Sequence, residues 1–568
     1  MLNKIIYPSL KRNTVFYLFL ALIVLEFILF RSYVLKNITD FYPSSFDQTS
    51  YLLLTYRIYE SIQQQGVVPG ILHSEVLPTG IFFPIQAALF YVLFGASRLS
   101  ALLPNFLYFA LLQLFALLAI QSFSNKKSTA LIFLGLLLCI QAPFLNAGDI
   151  GDFRMDFIAF CTYGMFVCAA IKSRTFLTRT WSVIAGLVAC IAILLRCITV
   201  VYFTPIIGLL FIYLLYQLKI SKNSSTESTL IKTRLINLLL VGIMIGATAL
   251  PYLWLNREAI YTYYVGSHVL GNEKYIRALE VGVTNTFSTL SFYPNSLFST
   301  HIGDLALEMA GLIFFVYILY FLLLLITGET RNEGSIPSWK MGLVLLLLCI
   351  LIPLIALTAD TNKSTVVGSI MAIPCLWLFF WFCLPIDAKL TQTPSRFSLL
   401  NLLAVVVLCA GLYNLTAHLA HHPSKQKLQN VTTITKMYQD IGDYALKNQW
   451  PAVNLSVDHI SDYLTAPGLA VVYYETRNRY IQVDIEKLGG TIFAINEADV
   501  LSSLKKSNVV ILNLNPYPEA SAYPFNQTIT ALKPLILSKL HENFVPLGDY
   551  QFMDSTYRVY VVKNNTLR

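Results

Sequence analysis

Long apolar runs broken by short polar stretches occupy the first 420 or so residues. The runs at 203–218 and 343–357, for example, approach or reach the length at which a helix crosses about 30 Å of hydrocarbon. About eleven such segments are expected to span a membrane: 15–35, 99–122, 129–145, 157–171, 181–195, 199–218, 235–255, 305–327, 341–358, 366–384 and 397–416. The first follows Lys4, Lys11 and Arg12 and lacks a small-residue cleavage site, so it reads as a retained signal anchor. A further apolar stretch, 81–95, carries Pro84 and is only about fifteen residues long, which suits a re-entrant or interfacial helix better than a span.

The pattern changes near residue 422. Apolar runs shrink to strand length and alternate with amphipathic stretches, which predicts helices at 431–449, 500–506 and 526–542. Strands are predicted at 454–457, 480–483, 509–514, 550–552 and 557–562. The chain therefore divides into an α-helical polytopic membrane domain, 1–421, and a soluble α/β domain, 422–568. The α/β part carries no Gly-rich phosphate loop and no nucleophile elbow, and the chain shows no internal repeat.

Composition supports this division. Hydrophobic residues make up 56% of the 568 and charged residues 12%, against about 45–50% and 25% in soluble domains; the mean hydropathy is +0.62. A water-soluble core cannot absorb that excess. The formal charge of +9 does not point to nucleic acid, because the basic residues sit in short clusters between apolar runs rather than along one face.

Those clusters order the topology. With a cytoplasmic N-terminus and 81–95 left out of the count, Lys126 and Lys127, Lys172 with Arg174 and Arg179, Lys219 to Arg234, Arg331 with Lys340, and Lys389 with Arg396 all face the cytoplasm. Counting 81–95 as a span would break the pattern. The long loops 36–97 and 254–304 and the C-terminal domain then fall on the outer side. All nine cysteines lie inside apolar runs, so neither the loops nor the C-terminal domain can form a disulfide, and no CxxC metal site exists. These features fit a bacterial inner membrane protein with an extracytoplasmic C-terminal domain.

Four polar places share that outer face. In the first loop, Asp47 opens an amphipathic helix with Tyr51 at helical spacing; it is either an N-cap or a carboxylate presented as a general base, with Gln48 beside it. In GDIGDFRMDF, Asp149, Asp152, Arg154 and Asp156 fall within eight residues. They form a solvated turn, or a cluster that holds an arginine or a divalent metal; oxygen donors without His or Cys suit magnesium or calcium. Arg196, between two apolar runs, either snorkels to headgroups or grips a lipid phosphate. Arg257, His268, Lys274 and Arg277 lie among Tyr261, Tyr263, Tyr264 and Tyr275, and basic groups on the outer side more plausibly meet an anion than set orientation.

Order and sidedness of these motifs resemble the GT-C superfamily of membrane glycosyltransferases, especially the branch of the lipid A aminoarabinose transferase and the protein O-mannosyltransferases. FDQTSYLLL resembles the acidic motif of the first loop, with Gln48 where the family usually has a second acid. PTGIFFPIQAALFYVLFG is similar to the juxtamembrane segment, and RMDFIAF to the aspartate motif. AGLVACIAILLR is similar to the glycine-rich helix that usually ends in lysine, and 249–277 to the loop with a tyrosine and histidine near the donor. The resemblance covers residues 1–330 or so.

It implies an inverting transfer of a sugar from a polyprenyl-phosphate carrier to an acceptor lipid, glycan or protein. Asp47, with Asp156, would be catalytic. Arg196, Arg257, Lys274 and Arg277 would hold the donor phosphate, and Gln48, Tyr51, Tyr264 and His268 would contact substrate. Asp152 and Asp156 are the candidate metal ligands. Two other classes stay open: a lipid or oligosaccharide transporter, against which stands the lack of a continuous charged path through the spans, and a scaffold whose outer domain binds a partner.

Overall fold

The computed structural model describes residues 14–38, 46–72, 79–124, 126–144, 148–220, 225–271, 278, 281–326, 339–360, 363–390, 399–420, 425–458, 464–485, 488, 496–515 and 524–563. The membrane part contains α1 (Thr14–Tyr33), α2 (Phe46–Gln65), α3 (Phe82–Phe94), α4 (Arg98–Ile120), α5 (Lys127–Cys139), α6 (Met155–Lys172) and α7 (Arg179–Leu195). It continues with α8 (Val200–Ile220), α9 (Ser225–Leu255), α10 (Asp304–Ile326), α11 (Trp339–Ala359), α12 (Ala372–Leu390) and α13 (Leu399–Leu419).

Nine of the described helices are long and apolar enough to cross a membrane: α1, α4, α6 and α8 to α13. The chain is an integral membrane protein. Two further helices that the sequence predicts as spans are shorter, α5 at 13 residues and α7 at 17. The segment set aside as re-entrant is α3; its 13 residues rise about 20 Å, too little to cross on their own. In the other direction, α9 starts at Ser225, well before the predicted 235, and α12 is entered through a 3-10 turn at Val366–Met371.

At the bundle centre stands α6. Met155 and every residue from Phe157 to Ile171 are buried, as an apolar helix surrounded by other helices requires. Neighbouring α5 ends at Cys139, where Asn414 of α13 donates its amide to the carbonyls of Leu138 (2.9 Å), Cys139 and Ile140 and so satisfies the helix end. Close approach of small residues makes this crossing possible: a side chain at Gly411 would sit 2.6 Å from the Gly135 carbonyl oxygen.

The C-terminal domain is α/β. Its helices are α14 (Lys425–Lys447), α15 (Ala466–Arg477), α16 (Glu497–Lys506) and α17 (Pro524–Asn543), and its strands are β1 (Val453–Val457), β2 (Val483–Ile485), β3 (Val509–Asn513), β4 (Phe544–Phe552) and β5 (Ser555–Val562). The sheet order is β2-β1-β3-β5-β4, with β2, β1 and β3 parallel, β5 antiparallel to β3, and β4 antiparallel to β5.

Two sequence expectations need correction here. The predicted strand 480–483 starts later, at Val483, and the predicted 550–552 is the end of a nine-residue strand. Pro546 and Gly548 hid its first half; they sit at a register shift on the sheet edge, where a missing N–H is tolerated. The unpredicted helix is α15. Its signals are local and present in the sequence: Thr465 caps it through the Gly468 N–H (3.0 Å), Pro467 follows in the first turn, and Asn478 ends it in the left-handed region.

Candidate active site at the head of the bundle

Three chain segments converge where α6 begins. The first turn of α2 brings Asp47 and Gln48; the turn before α6 brings Asp149, Asp152, Arg154 and Asp156; the end of α7 brings Arg196. Gln48 is buried and accepts a hydrogen bond from the Phe153 N–H (3.1 Å), which ties α2 to the acidic turn. From α4, the Asn105 amide donates to the carbonyls of Ile150 (3.1 Å) and Asp152 (3.0 Å) and fixes that turn from below.

A fourth segment locks Arg196. The Cys197 N–H donates to the Thr79 carbonyl (2.8 Å), and Gly80 lies so close to the end of α7 that a Cβ there would be 2.0 Å from the Leu195 carbonyl oxygen. Only glycine permits that approach.

Charge is distributed unevenly. Asp152, buried, accepts from Arg154 Nε (2.7 Å) and Nη2 (2.5 Å) and from the Gly148 N–H (2.5 Å). Asp156 pairs with Arg196 at 3.0 Å, both side chains being little exposed. Asp149 accepts from the Gly151 N–H (2.8 Å); burial, and then the neighbouring Asp152, pushes its carboxyl well above the usual range and favours the neutral form. Asp47 differs from all three. It is exposed, and no hydrogen bond or ion pair takes up its carboxylate among the described residues.

Around Arg196 stand phenols. Tyr51 faces Arg196, Asp47, Tyr263 and Asp156, and Tyr264 faces Arg196, Tyr263 and Asp156. Burial raises both phenols above their ordinary 10, so both remain neutral hydrogen-bonding groups. Tyr51 also meets Phe83 edge-on, with ring centroids 6.1 Å apart, and Phe83 packs on Phe153 at 4.7 Å. Arg154 feels Asp152, Asp156 and Asp47 together; burial opposes its charge, and the carboxylates outweigh it. Although buried, the Arg196 Nε has no partner among the described residues.

No protein-family profile matches the chain, and no curated protein matches it. Solved structures do. ArnT from Cupriavidus metallidurans bound to undecaprenyl phosphate superposes with a TM-score of 0.55 at 12% identity, over 96% of this chain and 97% of its own. The apo state of ArnT gives 0.53 at 11%, over 97% and 98%. The archaeal oligosaccharyltransferase AglB from Archaeoglobus fulgidus, in complex with an inhibitory peptide and a dolichol-phosphate, gives 0.50 at 13%, over 97% of this chain and 75% of its own. Both are GT-C proteins.

The chain has the GT-C fold.

Within this GT-C fold, Asp47, Gln48, Tyr51, Asp152, Asp156, Arg196 and Tyr264 come together at one end of the bundle. Arg257 is exposed and engages its own neighbour, donating to the Trp254 carbonyl (3.2 Å) with its guanidinium 5.0 Å from the Trp254 ring. His268 falls in the π-helical Tyr261–Leu270. Lys274 and Arg277 lie outside the described residues.

Asp152 and Asp156, the candidate metal ligands, lie in this cluster. Each pairs with a guanidinium through one carboxylate oxygen, Asp152 with Arg154 and Asp156 with Arg196, and the described residues contain no group of three His, Cys, Asp or Glu placed to hold an ion.

Sequence reasoning overlooked Tyr202 and Asn105. Tyr202 faces Arg196 and Tyr264 from α8, and nothing in its apolar surroundings distinguishes it. Asn105 could have been found as a polar residue inside a membrane helix. Also unanticipated is a cleft of about 420 Å³ between α2 and the C-terminal domain, lined by Arg57, Glu60, Ser61, Gln64, Tyr480 and Gln482.

Proposed function

We propose that this protein is an inverting glycosyltransferase that moves a sugar from a polyprenyl-phosphate donor to an acceptor outside the cytoplasm. The observation that carries the reading is an exposed carboxylate, Asp47, that shares Tyr51 as a neighbour with a buried guanidinium, Arg196, whose Nε has no partner among the described residues. A buried donor without a protein partner is costly, and an anionic oxygen relieves that cost. The fold shared with ArnT and AglB, whose structures contain undecaprenyl phosphate and dolichol-phosphate, favours a lipid phosphate as that anion.

In this reading the acceptor hydroxyl attacks the anomeric carbon from the face opposite the phosphate, and Asp47 takes its proton. The bond from the anomeric carbon to the phosphate oxygen breaks, and its electron pair leaves with the polyprenyl phosphate. Arg196 stabilises the negative charge that develops there, with Arg257, Lys274 and Arg277 of the second large loop adding positive charge. Asp156 holds the Arg196 guanidinium in place, and Tyr51, Tyr264, Gln48 and His268 contact the sugar and its phosphate.

The cleft beside α2 presents donors, acceptors and an aromatic face, which suits a hydroxyl-rich acceptor. The C-terminal domain, 422–568, is then extracytoplasmic and flanks the acceptor side.

The decisive experiment uses the Asp47→Asn variant, assayed for sugar transfer from a polyprenyl-phosphate donor and separately for undecaprenyl phosphate binding. Loss of transfer with binding intact is expected. Transfer at the wild-type rate would remove Asp47 as the base.

A further inference from the structure

A second cluster of charge sits outside the site, where the C-terminal domain meets the bundle. Arg98, at the first position of α4, is 6% exposed and clasps Glu475 of α15. Its Nε donates to both carboxylate oxygens (2.9 and 3.1 Å) and its Nη2 to one of them (2.7 Å), a bidentate pair that spans 377 residues of sequence.

The same two side chains hold two further points. The Arg98 Nη1 donates to the Ile38 carbonyl (2.7 Å), at the end of the helical stretch that begins with α1. Glu475 accepts from the Tyr56 hydroxyl (3.0 Å) on α2. Around this node α15 and α2 are joined again: Tyr474 donates to Glu60 (2.5 Å), the Tyr56 and Tyr474 rings pack with centroids 4.6 Å apart, and Arg57 donates to Tyr480 (2.9 Å).

The placement matters because Asp47 and Gln48 lie between Ile38 and Tyr56. Both flanks of the segment that carries the exposed carboxylate are therefore tied to one ion pair. From Tyr56 to Asp47 is nine residues of continuous helix, about 14 Å, and a helix transmits a displacement of one end to the other as a rigid body. We infer that the C-terminal domain positions Asp47, with Glu475 acting through Arg98 and Tyr56 as the positioning residue. Glu475 does not touch the reacting groups; it sets where α2 presents them. In its kinetic consequence this inference rests on the reading of Asp47 as the base.

The test is hydrogen–deuterium exchange on the purified full-length chain, comparing wild type, Glu475→Ala, Glu475→Asp and Tyr56→Phe, with undecaprenyl phosphate binding and transfer rate measured on each. In Glu475→Ala, amides in 46–57 are expected to exchange about tenfold faster or more while β1 and β3 keep their protection. Undecaprenyl phosphate binding stays near wild type, kcat falls without a matching rise in the donor KM, and Glu475→Asp recovers part of both effects.

Wild-type exchange in 46–57 with the clasp removed would overturn the inference. If Glu475→Ala loses strand protection as well, Tyr56→Phe decides: a rise confined to 46–57 supports the node, and no local rise refutes it. Should Asp47→Asn still transfer sugar while the exchange pattern holds, the assigned base is wrong and the positioning of α2 stands.

Discussion

Arg196 and Asp156 lie 3.0 Å apart at the ends of two different helices, α7 and α6, and each is more than four-fifths buried. The pair is therefore little screened by water, and its two members depend on each other. Removing the guanidinium leaves a nearly buried carboxylate alone, which costs on the order of 3–5 kcal/mol.

Arg196→Ala is thus expected to weaken undecaprenyl phosphate binding by about 30-fold or more and to lower the melting temperature in detergent. Arg196→Lys keeps the charge and loses the forked donor geometry, so it should retain binding within about tenfold of wild type. Titration of undecaprenyl phosphate against tryptophan fluorescence reads both. Equal losses in the two variants would mean that charge is not what Arg196 supplies.

Gly80 tests the seat of that arginine. A methyl group there would lie 2.0 Å from the Leu195 carbonyl oxygen, so the backbone of one segment must move. Gly80→Ala is expected to destabilise the fold by about 1–3 kcal/mol and to reduce phosphate binding with it. Gly208, in α8 with nothing within 4 Å of the same added atom, is the control. Gly208→Ala should leave binding unchanged and stabilise slightly, by about 0.5–1 kcal/mol.

Gln48 joins the carboxylate-bearing helix to the acidic turn through the Phe153 N–H. Gln48→Leu strands that buried donor, at a cost of about 1–3 kcal/mol, and should lower the transfer rate more than donor binding. Gln48→Glu keeps an acceptor at the same place and is expected to preserve more activity than the leucine variant. A leucine variant with full transfer rate would show that this tie is dispensable.

His301 provides a pH signature of the membrane domain. The ring is fully buried, and its Nε2 lies 2.7 Å from the Thr365 carbonyl, so the neutral ring donates there. Burial pushes its pKa from 6.5 down to about 4. A depressed folded value means that the stabilisation is present above about pH 6.5 and is lost as pH falls toward 4, on the order of 3 kcal/mol in all. Melting temperature should drop between pH 7 and pH 5 in wild type, and by less in His301→Gln, which offers Thr365 a donor that does not titrate. Identical drops would assign the effect to other groups.

Much of the framework was legible from hydropathy because a lipid solvent imposes a length and a composition on each element. The expected 99–122 and 397–416 spans correspond to α4 and α13 within a few residues, and the brevity of 81–95 is matched by α3. Asp47, Asp156 and Arg196 were also legible as candidates, since charge at a membrane boundary is rare and costly. Their partners were not. Three aspartates within eight residues compete for two arginines, and nothing in their order says that Arg154 takes Asp152 while Arg196 takes Asp156. Glu475 carried no signal at all, lying on a short helix whose cap residues, Thr465 and Asn478, were readable but whose neighbour Arg98 is remote in sequence.

The sequence by itself determined that the chain lives in a membrane, where its long helices fall, and that an α/β domain follows them. These properties depend on local composition and on periodicity, which each segment carries independently. Only the tertiary structure decided which carboxylate is left exposed, which are absorbed by arginines, and that one ion pair between distant segments holds both flanks of Asp47. Such pairings are set by distances between elements, and a distance across 377 residues is a property of packing rather than of any segment.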